Sequence, residues 1–293
     1  MNRKFHSNAL SVAASNTAHR FRTIATNTTD LLAQVEDGVA TITMNRPERR
    51  NALSGAMLEA LARVLAECET ASDVGAVLLT GSGGAFCAGG DVKGMAESHN
   101  AGEAADIDTR IHRQRLSQRA TSGRLYEMPK PTIAALPGAA AGAGLALALA
   151  CDLRIAADGA VMTTAFAKVG FSGDYGGTYF LTRLVGSAKA RELYFLSDKV
   201  EMKEALALGL VNRVVPSANL MSEAQALAKR LAEGPRVAYR YMKENLNRAA
   251  GEATMTDCLD LEATHHIHTG LTEDHREAAK AFVEKRVPKF QGC

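Results

Sequence analysis

Apolar and polar residues alternate over Leu31–Glu36 and again over Val39–Met44, and the two runs flank Asp37-Gly38. Asp-Gly supplies the positive φ angles of a type I′ turn, so the pattern predicts a hairpin. Residues 45–50 form a polar turn, after which Ser54 precedes Met57, Leu58, Leu61, Val64 and Leu65 at helical spacing, predicting a capped helix to about Cys68. Residues 74–80 are a continuous apolar run between Asp73 and Gly81, the signature of a strand covered on both faces. A polar helix is expected over 106–126, closed by Pro129 and Pro131, followed by a strand at Thr132–Leu136, a helix to about Ala150 and a strand over 152–156. Such alternation favours a mostly parallel sheet with right-handed crossovers. From Gly176 onward helices dominate, with cap candidates at Ser217, Thr256 and Thr272 and a brief strand over 211–215. The expected organisation is an extension over 1–29, disordered or targeting, a core over 30–215 and a helical region over 216–293.

Composition narrows the class. At 293 residues, 46% hydrophobic and net charge +2, the chain has enough apolar sequence for a sizeable core and no charge excess that calls for nucleic acid or an acidic membrane surface. The small excess is local: residues 1–29 hold Arg3, Lys4, Arg20 and Arg22 and no acidic residue, leaving 30 basic against 32 acidic residues beyond. That stretch fits a mitochondrial transit peptide in outline and a bacterial extension equally, so a cytoplasmic location and a mitochondrial matrix one both stay open. The five cysteines, Cys68, Cys87, Cys151, Cys258 and Cys293, form no C-x-x-C pair, which argues against a disulfide framework or a zinc site. Residues 132–151 lack any charge and carry Gly138 and Gly142 as G-x-x-x-G, but Ala and Gly dominate and Pro137 interrupts; a buried strand-turn-helix explains the window better than a membrane span.

Candidate chemistry centres on two loops, Ala85-Phe86-Cys87-Ala88-Gly89-Gly90-Asp91 and Pro137-Gly138-Ala139-Ala140-Ala141-Gly142-Ala143-Gly144-Leu145. Each carries small residues out of an apolar strand toward a helix. Backbone N–H groups without side chains in front of them approach developing negative charge closely, and a helix N-terminus adds free donors and a favourable dipole. Neither loop matches G-x-x-x-x-G-K-[ST] or G-x-G-x-x-G, which removes the phosphate-cradle and dinucleotide readings. With 86–92, residues 130–135 through Cys151-Asp152-Leu153, and Met44-Asn45-Arg46-Pro47 followed by Asn51-Ala52-Leu53, the chain resembles the crotonase, or enoyl-CoA hydratase/isomerase, superfamily from Leu31 to its C-terminus.

The resemblance implies an α/β fold, the crotonase ββα spiral with a C-terminal helical region that assembles trimers or hexamers. It implies an acyl-CoA thioester as substrate, with coenzyme A entering as part of that substrate and no metal or redox cofactor. Gly90 and Ala143 would donate the two oxyanion-hole hydrogen bonds, Ala143 standing where glycine is more usual. Arg50, Ala52, Ala88, Asp91 and Val92 would line the CoA channel, with Arg46, Arg49 and Lys93 as further candidates for its phosphates, and Phe282 and Lys285 on the last helix would approach CoA. The positions of the two glutamates of family hydratases hold Ala146 and Phe166, neither of which transfers a proton. Family isomerases place a catalytic Asp in the segment that here reads Gly170-Phe171-Ser172-Gly173-Asp174-Tyr175-Gly176-Gly177-Thr178, making Asp174 the general base and acid.

Three readings therefore stand side by side: an acyl-CoA isomerase using Asp174, an enoyl-CoA hydratase with atypical acid and base, and a non-catalytic acyl-CoA-binding relative in which Asp174 only caps the helix near Gly176. Nucleophilic attack by Asp174, as in family aryl-CoA dehalogenases, is disfavoured because those enzymes use a tryptophan and this chain has none. His112 reads as a solvated helical residue. His265 and His268 share a helical face, but no further ligand in a recognised spacing joins them.

Overall fold

The computed structural model describes residues 21–92, 94 and 106–293. Its centre is a seven-stranded sheet in the order β1 (Phe21–Thr23), β2 (Leu31–Glu36), β3 (Val39–Met44), β4 (Ala76–Gly81), β5 (Thr132–Leu136), β7 (Leu153–Ala157) and β10 (Arg213–Val215). The first three strands pair antiparallel and the rest parallel, as the alternation of elements predicts. Asp37 and Gly38 both have positive φ, 48° and 83°, so the hairpin turns as its sequence dictates. A second, three-stranded sheet of β6 (Ala140–Ala141), β8 (Val161–Thr163) and β9 (Val200–Glu201) has no sequence signal, because strands this short carry no period.

One face of the main sheet is covered by α1 (Gly55–Thr70), the π-helical turn (Arg119–Gly123) with α3 (Arg124–Glu127), and α4 (Ala143–Ala150); the polar α2 (Ile107–Gln118), which buries no residue, leads into that turn. Ser54 caps α1 by accepting the Met57 amide at 3.1 Å. The larger buried cluster, with Leu31, Met44, Leu61, Leu79, Phe86 and Leu147, fills the space between these helices and the sheet. The opposite face is closed by α7 (Leu220–Ala232), whose Leu220, Ala224, Ala228 and Ala232 recur at helical spacing against Leu78, Ile133 and Ile155. The core therefore extends past 215, and α7 is part of it rather than of the helical region expected over 216–293. At the other end, residues 21–23 pair with β2, so part of the expected 1–29 extension belongs to the sheet; residues 1–20 lie outside the described residues.

The chain continues through α5 (Gly177–Leu196), broken at Gly186, and α6 (Met202–Ala207) to α8 (Arg236–Ala249), α9 (Met255–Thr269) and α10 (Glu273–Val283). Thr254, not Thr256, caps α9 in a capping box with Asp257, and Ser217 hydrogen-bonds Asp158 instead of capping α7; Thr272 caps α10. The last three helices add no residue to either buried cluster. Lys243 anchors α8, its buried ammonium donating to Leu125 O, Lys130 O and Asp152 Oδ2 at 3.0, 3.2 and 2.9 Å. Residues 132–151 form β5, β6 and α4, and among the described residues no helix is long and apolar enough to cross a membrane.

Candidate active site

The two glycine loops are bound to each other through backbone. The Phe86 and Cys87 amides both donate to Ala139 O at 3.1 Å, and the Ala141 amide donates to Cys87 O at 2.9 Å. On its other side the second loop pairs with β8, the Gly142 amide donating to Thr163 O at 3.1 Å. A side-chain carbon on Gly89, where φ is 94°, would come within 2.9 Å of Ala141 O and 3.5 Å of the Ala143 nitrogen. Gly142, the N-cap of α4, has φ 52° and ψ −127°, a region open only to glycine. The bare backbone at 89 and 142 is thus what lets the loops meet.

Ala143 is the first residue of α4 and is buried, and neither its amide nor that of Gly90 donates a hydrogen bond among the described residues. The Ala143 amide belongs to the free first turn of a helix, where the dipole favours negative charge. Beneath the seam Cys87 Sγ donates to Asn51 O at 3.0 Å and accepts the Gly89 amide; burial pushes its thiol up to about 12, so it is a strut and not a nucleophile.

The first loop is also held from below. Asn51, fully buried, donates through Nδ2 to Ser82 O and Ala85 O at 2.8 and 2.9 Å and accepts the Arg46 amide. Arg46 turns inward: it donates to Ala52 O at 2.7 Å and to Asp91 Oδ2 at 3.0 Å, and lies 3.5 Å from Asp30. That corrects its reading as a free phosphate-binding cation. Asp91 Oδ1 accepts the Gly94 amide at 3.1 Å, as a helix cap does; this hydrogen bond and then Arg46 hold its carboxyl below the ordinary range. Arg49, Arg50, Ala88 and Val92 are exposed around this framework and Ala52 is buried, while Lys93 lies outside the described residues.

Asp174 sits on the turn leading into α5. The helix is capped by Gly176 with no side-chain hydrogen bond, so the capping role of Asp174 is overturned. Instead its Oδ1 is buried and has no hydrogen-bond partner among the described residues, and burial alone raises the carboxyl to about 6. The turn is fixed from outside: the Tyr175 amide donates to Gln118 Oε1 at 2.6 Å and its hydroxyl lies 3.2 Å from Ser117 Oγ, both at the end of α2 where the helix passes into its π turn. Around Asp174 stand Tyr175 and Tyr194, and the Tyr194 ring stacks on Phe166 with centroids 5.8 Å apart and 12° between planes. A side-chain carbon on Gly177 would touch Ala146 Cβ at 3.4 Å, and one on Gly142 would touch the Phe166 ring at 3.7 Å. Ala146 and Phe166 thus give this end of the loop seam a methyl and a ring.

Other candidates fall elsewhere. Phe282 is 85% exposed beyond the core, and Lys285, at φ 56°, follows the end of α10; the ion pairs there, Arg286 with Glu277 and Glu284, stay within the C-terminal segment. His112 is exposed on α2. His265 packs on Tyr241 with centroids 4.3 Å apart and bonds Asn245 at 2.6 Å, and His268 meets the same ring. Among the described residues no group of three or more His, Cys, Asp or Glu is placed to hold a metal ion. Sequence reasoning missed Tyr194, Gln118 and Ser117. An aromatic at helical spacing reads as core, and two polar residues on a polar helix read as surface.

A family model described as enoyl-CoA hydratase/isomerase matches residues 34–293. The chain belongs to this family. It is 38% identical over 262 residues to the 1,2-epoxyphenylacetyl-CoA isomerase of Escherichia coli K12, covering 89% of this chain and 98% of that one. To the short-chain-enoyl-CoA hydratase of Clostridium acetobutylicum it is 34% identical, with 90% and 97% covered. The crystal structure of an enoyl-CoA hydratase from Polaromonas sp. JS666 superposes with a TM-score of 0.81 at 32% identity, covering 89% of this chain and 99% of that one. The mixed α/β fold with its parallel sheet is that of the crotonase superfamily.

Proposed function

We propose that this family member is an acyl-CoA isomerase that moves a double bond or rearranges a ring through a thioester enolate. Gly90 and Ala143 would donate to the thioester oxygen as charge develops, a contribution worth about 2.7–4 kcal/mol per donor in comparable sites. Asp174 would take a proton from one carbon of the acyl chain and return it to another, with no metal or redox cofactor. The observation that carries the reading is the Asp174 carboxyl: half-buried, with Oδ1 buried and unpartnered among the described residues, and raised to about 6 by burial, it is poised to exchange a proton near neutral pH. Hydration needs an acid and a base directed at water, and the two family glutamate positions are the methyl of Ala146 and the ring of Phe166. A purely binding relative would gain nothing from leaving a carboxylate oxygen buried without a partner, which costs stability.

Arg50, exposed on the rim beside Ala52 and Ala88, is the favoured cation for the CoA phosphates, with Asp91 and Val92 shaping the same rim. Phe282 and Lys285 would reach CoA across a subunit boundary. Exposed Met242, Leu246, Leu259 and Ile267 on α8 and α9 support a homotrimer or hexamer built through the C-terminal helices. Turnover of 2-enoyl, 3-enoyl and ring-epoxide CoA thioesters, run beside Asp174→Asn, tests the reading. Isomerised product from the parent enzyme and a loss of about 10²-fold or more in the variant are expected. Full activity in the variant, or water addition as the main reaction, refutes it.

A further inference from the structure

Two polar atoms at this end of the loop seam have no hydrogen-bond partner among the described residues. Asp174 Oδ1 is one. The other is the Tyr194 hydroxyl: that residue's recorded hydrogen bond is made by its backbone carbonyl, which accepts from Ser197 Oγ, and among the described residues the phenol oxygen makes none. They stand close together. A side-chain carbon on Gly173 would lie 3.0 Å from Tyr194 Cε1 and 3.4 Å from its hydroxyl, and one on Gly177 would lie 2.6 Å from the hydroxyl and 3.4 Å from Ala146 Cβ. The phenol therefore packs against the turn that carries Asp174, beside the position where family hydratases have a glutamate. Stacking on Phe166 fixes the ring. Burial, and then the charge of Asp174, raise the phenol above its ordinary range, so it remains a hydrogen-bond donor.

A carboxyl and a phenol that stand side by side without bonding each other are poorly served by an all-hydrocarbon ligand. It would strip both of water and give nothing back. A hydroxyl on the ligand satisfies both, accepting from the phenol and donating to the carboxylate, while an ether or epoxide oxygen satisfies the phenol alone. We propose that Tyr194 contacts substrate, its hydroxyl donating to an oxygen carried by the acyl group beyond the thioester, and that the preferred acyl groups bear a hydroxyl, ether or epoxide there. The proposal rests on the acyl-CoA reading of the site and narrows its substrate class. Tyr194 transfers no proton in it.

Binding of saturated thioesters, which have no double bond to move, tests this apart from turnover. The probes are cyclohexylacetyl-CoA and its 2-, 3- and 4-hydroxy derivatives, titrated by calorimetry into the parent enzyme and Tyr194→Phe, which keeps the ring and its stack. At least one hydroxylated thioester is expected to bind the parent about tenfold more tightly than the unsubstituted one, the size of one net hydrogen bond. In the variant that advantage disappears while the unsubstituted thioester binds as before. Equal binding of all four to the parent overturns the proposal, as does an advantage that survives in the variant or an equal weakening of every ligand. Failure of the isomerase reading would show separately, in turnover by Asp174→Asn.

Discussion

Gly89 and Ala143 lie 54 positions apart in sequence, yet a side-chain carbon on Gly89 would come within 3.5 Å of the Ala143 amide nitrogen. The proposed oxyanion donors are placed by this contact of backbone on backbone. Sheet hydrogen bonds hold it on either side, with Cys87 bridging to Ala140 and β6 pairing with β8. Cys87 and Asn51 brace the first loop from below, but the approach of the two loops themselves depends on glycine at the seam.

Gly142→Ala tests that dependence. At φ 52° and ψ −127° an alanine is strained by about 1–3 kcal/mol, and relief of the strain would turn the first amide of α4 away. Thermal unfolding is expected to fall accordingly, and kcat to drop about 10²–10³-fold, the effect of losing one donor. A destabilised variant with parental kcat would show that the α4 amide does not act.

The Asp174 carboxyl makes stability depend on pH in a defined direction. Its folded value of about 6 exceeds the ordinary 3.8, so between them the folded protein holds a proton that the unfolded chain has released. Stability is full below the ordinary value, declines as pH rises through the folded one and stays lower above it. Asparagine carries no such charge. Denaturant titrations should show Asp174→Asn more stable than the parent by about 1–2 kcal/mol at neutral pH and above, a figure reduced for partial solvent access, with the gain vanishing near pH 4. A variant that is less stable at neutral pH would mean the carboxylate has a partner after all.

Lys243 joins α8 to the core through three acceptors. Lys243→Met keeps the aliphatic stem but removes the ammonium from all three acceptors, leaving Asp152 and Leu125 O with their contacts to Thr132. Chemical denaturation is expected to register a loss of about 2–4 kcal/mol. A change below about 0.5 kcal/mol would mean that water replaces the ammonium at no cost.

Arg46 and Arg50, four residues apart, should behave differently. Arg46 is tied to Ala52 O, Asp91 and Asp30, so Arg46→Ala should lower the unfolding temperature. Arg50 is exposed, and Arg50→Ala should raise KM for a CoA thioester about threefold to tenfold at unchanged kcat, with the difference shrinking as salt is added. Steady-state kinetics at two ionic strengths distinguishes the two outcomes; a salt-independent KM in the parent would remove Arg50 from phosphate binding.

The strands and helices of the core were legible because each shows its own period: alternation in β2 and β3, helical spacing in α1, continuous apolar runs in β4 and β5. The I′ turn and the caps at Ser54 and Thr272 followed from side-chain chemistry alone. What the sequence hid depends on distant partners. The two-residue strand β6 exists because Val161–Thr163 lies alongside it. α7 reads as one more surface helix until its alanines are seen against Ile133 and Ile155. In the candidate site, the glycine loops stand out by their small residues, and Asp174 is singled out by the family resemblance. That Asp174 does not cap α5 could not be read there, since which residue takes the N-cap is set by the turn, and here that residue is Gly176. Arg46 was misread for a related reason: its acceptors Asp30 and Asp91 are 16 and 45 residues away.

The central claim is that Asp174 carries a proton to and from the acyl chain while the amides of Gly90 and Ala143 hold the enolate. Deuterium uptake measures this directly, by incubating the enzyme with a 3-enoyl-CoA thioester in D2O and following label at the acyl carbons by mass spectrometry. The account predicts incorporation by the parent enzyme and a loss of about 10²–10⁴-fold in Asp174→Asn. Uptake by the variant at the parental rate would contradict it.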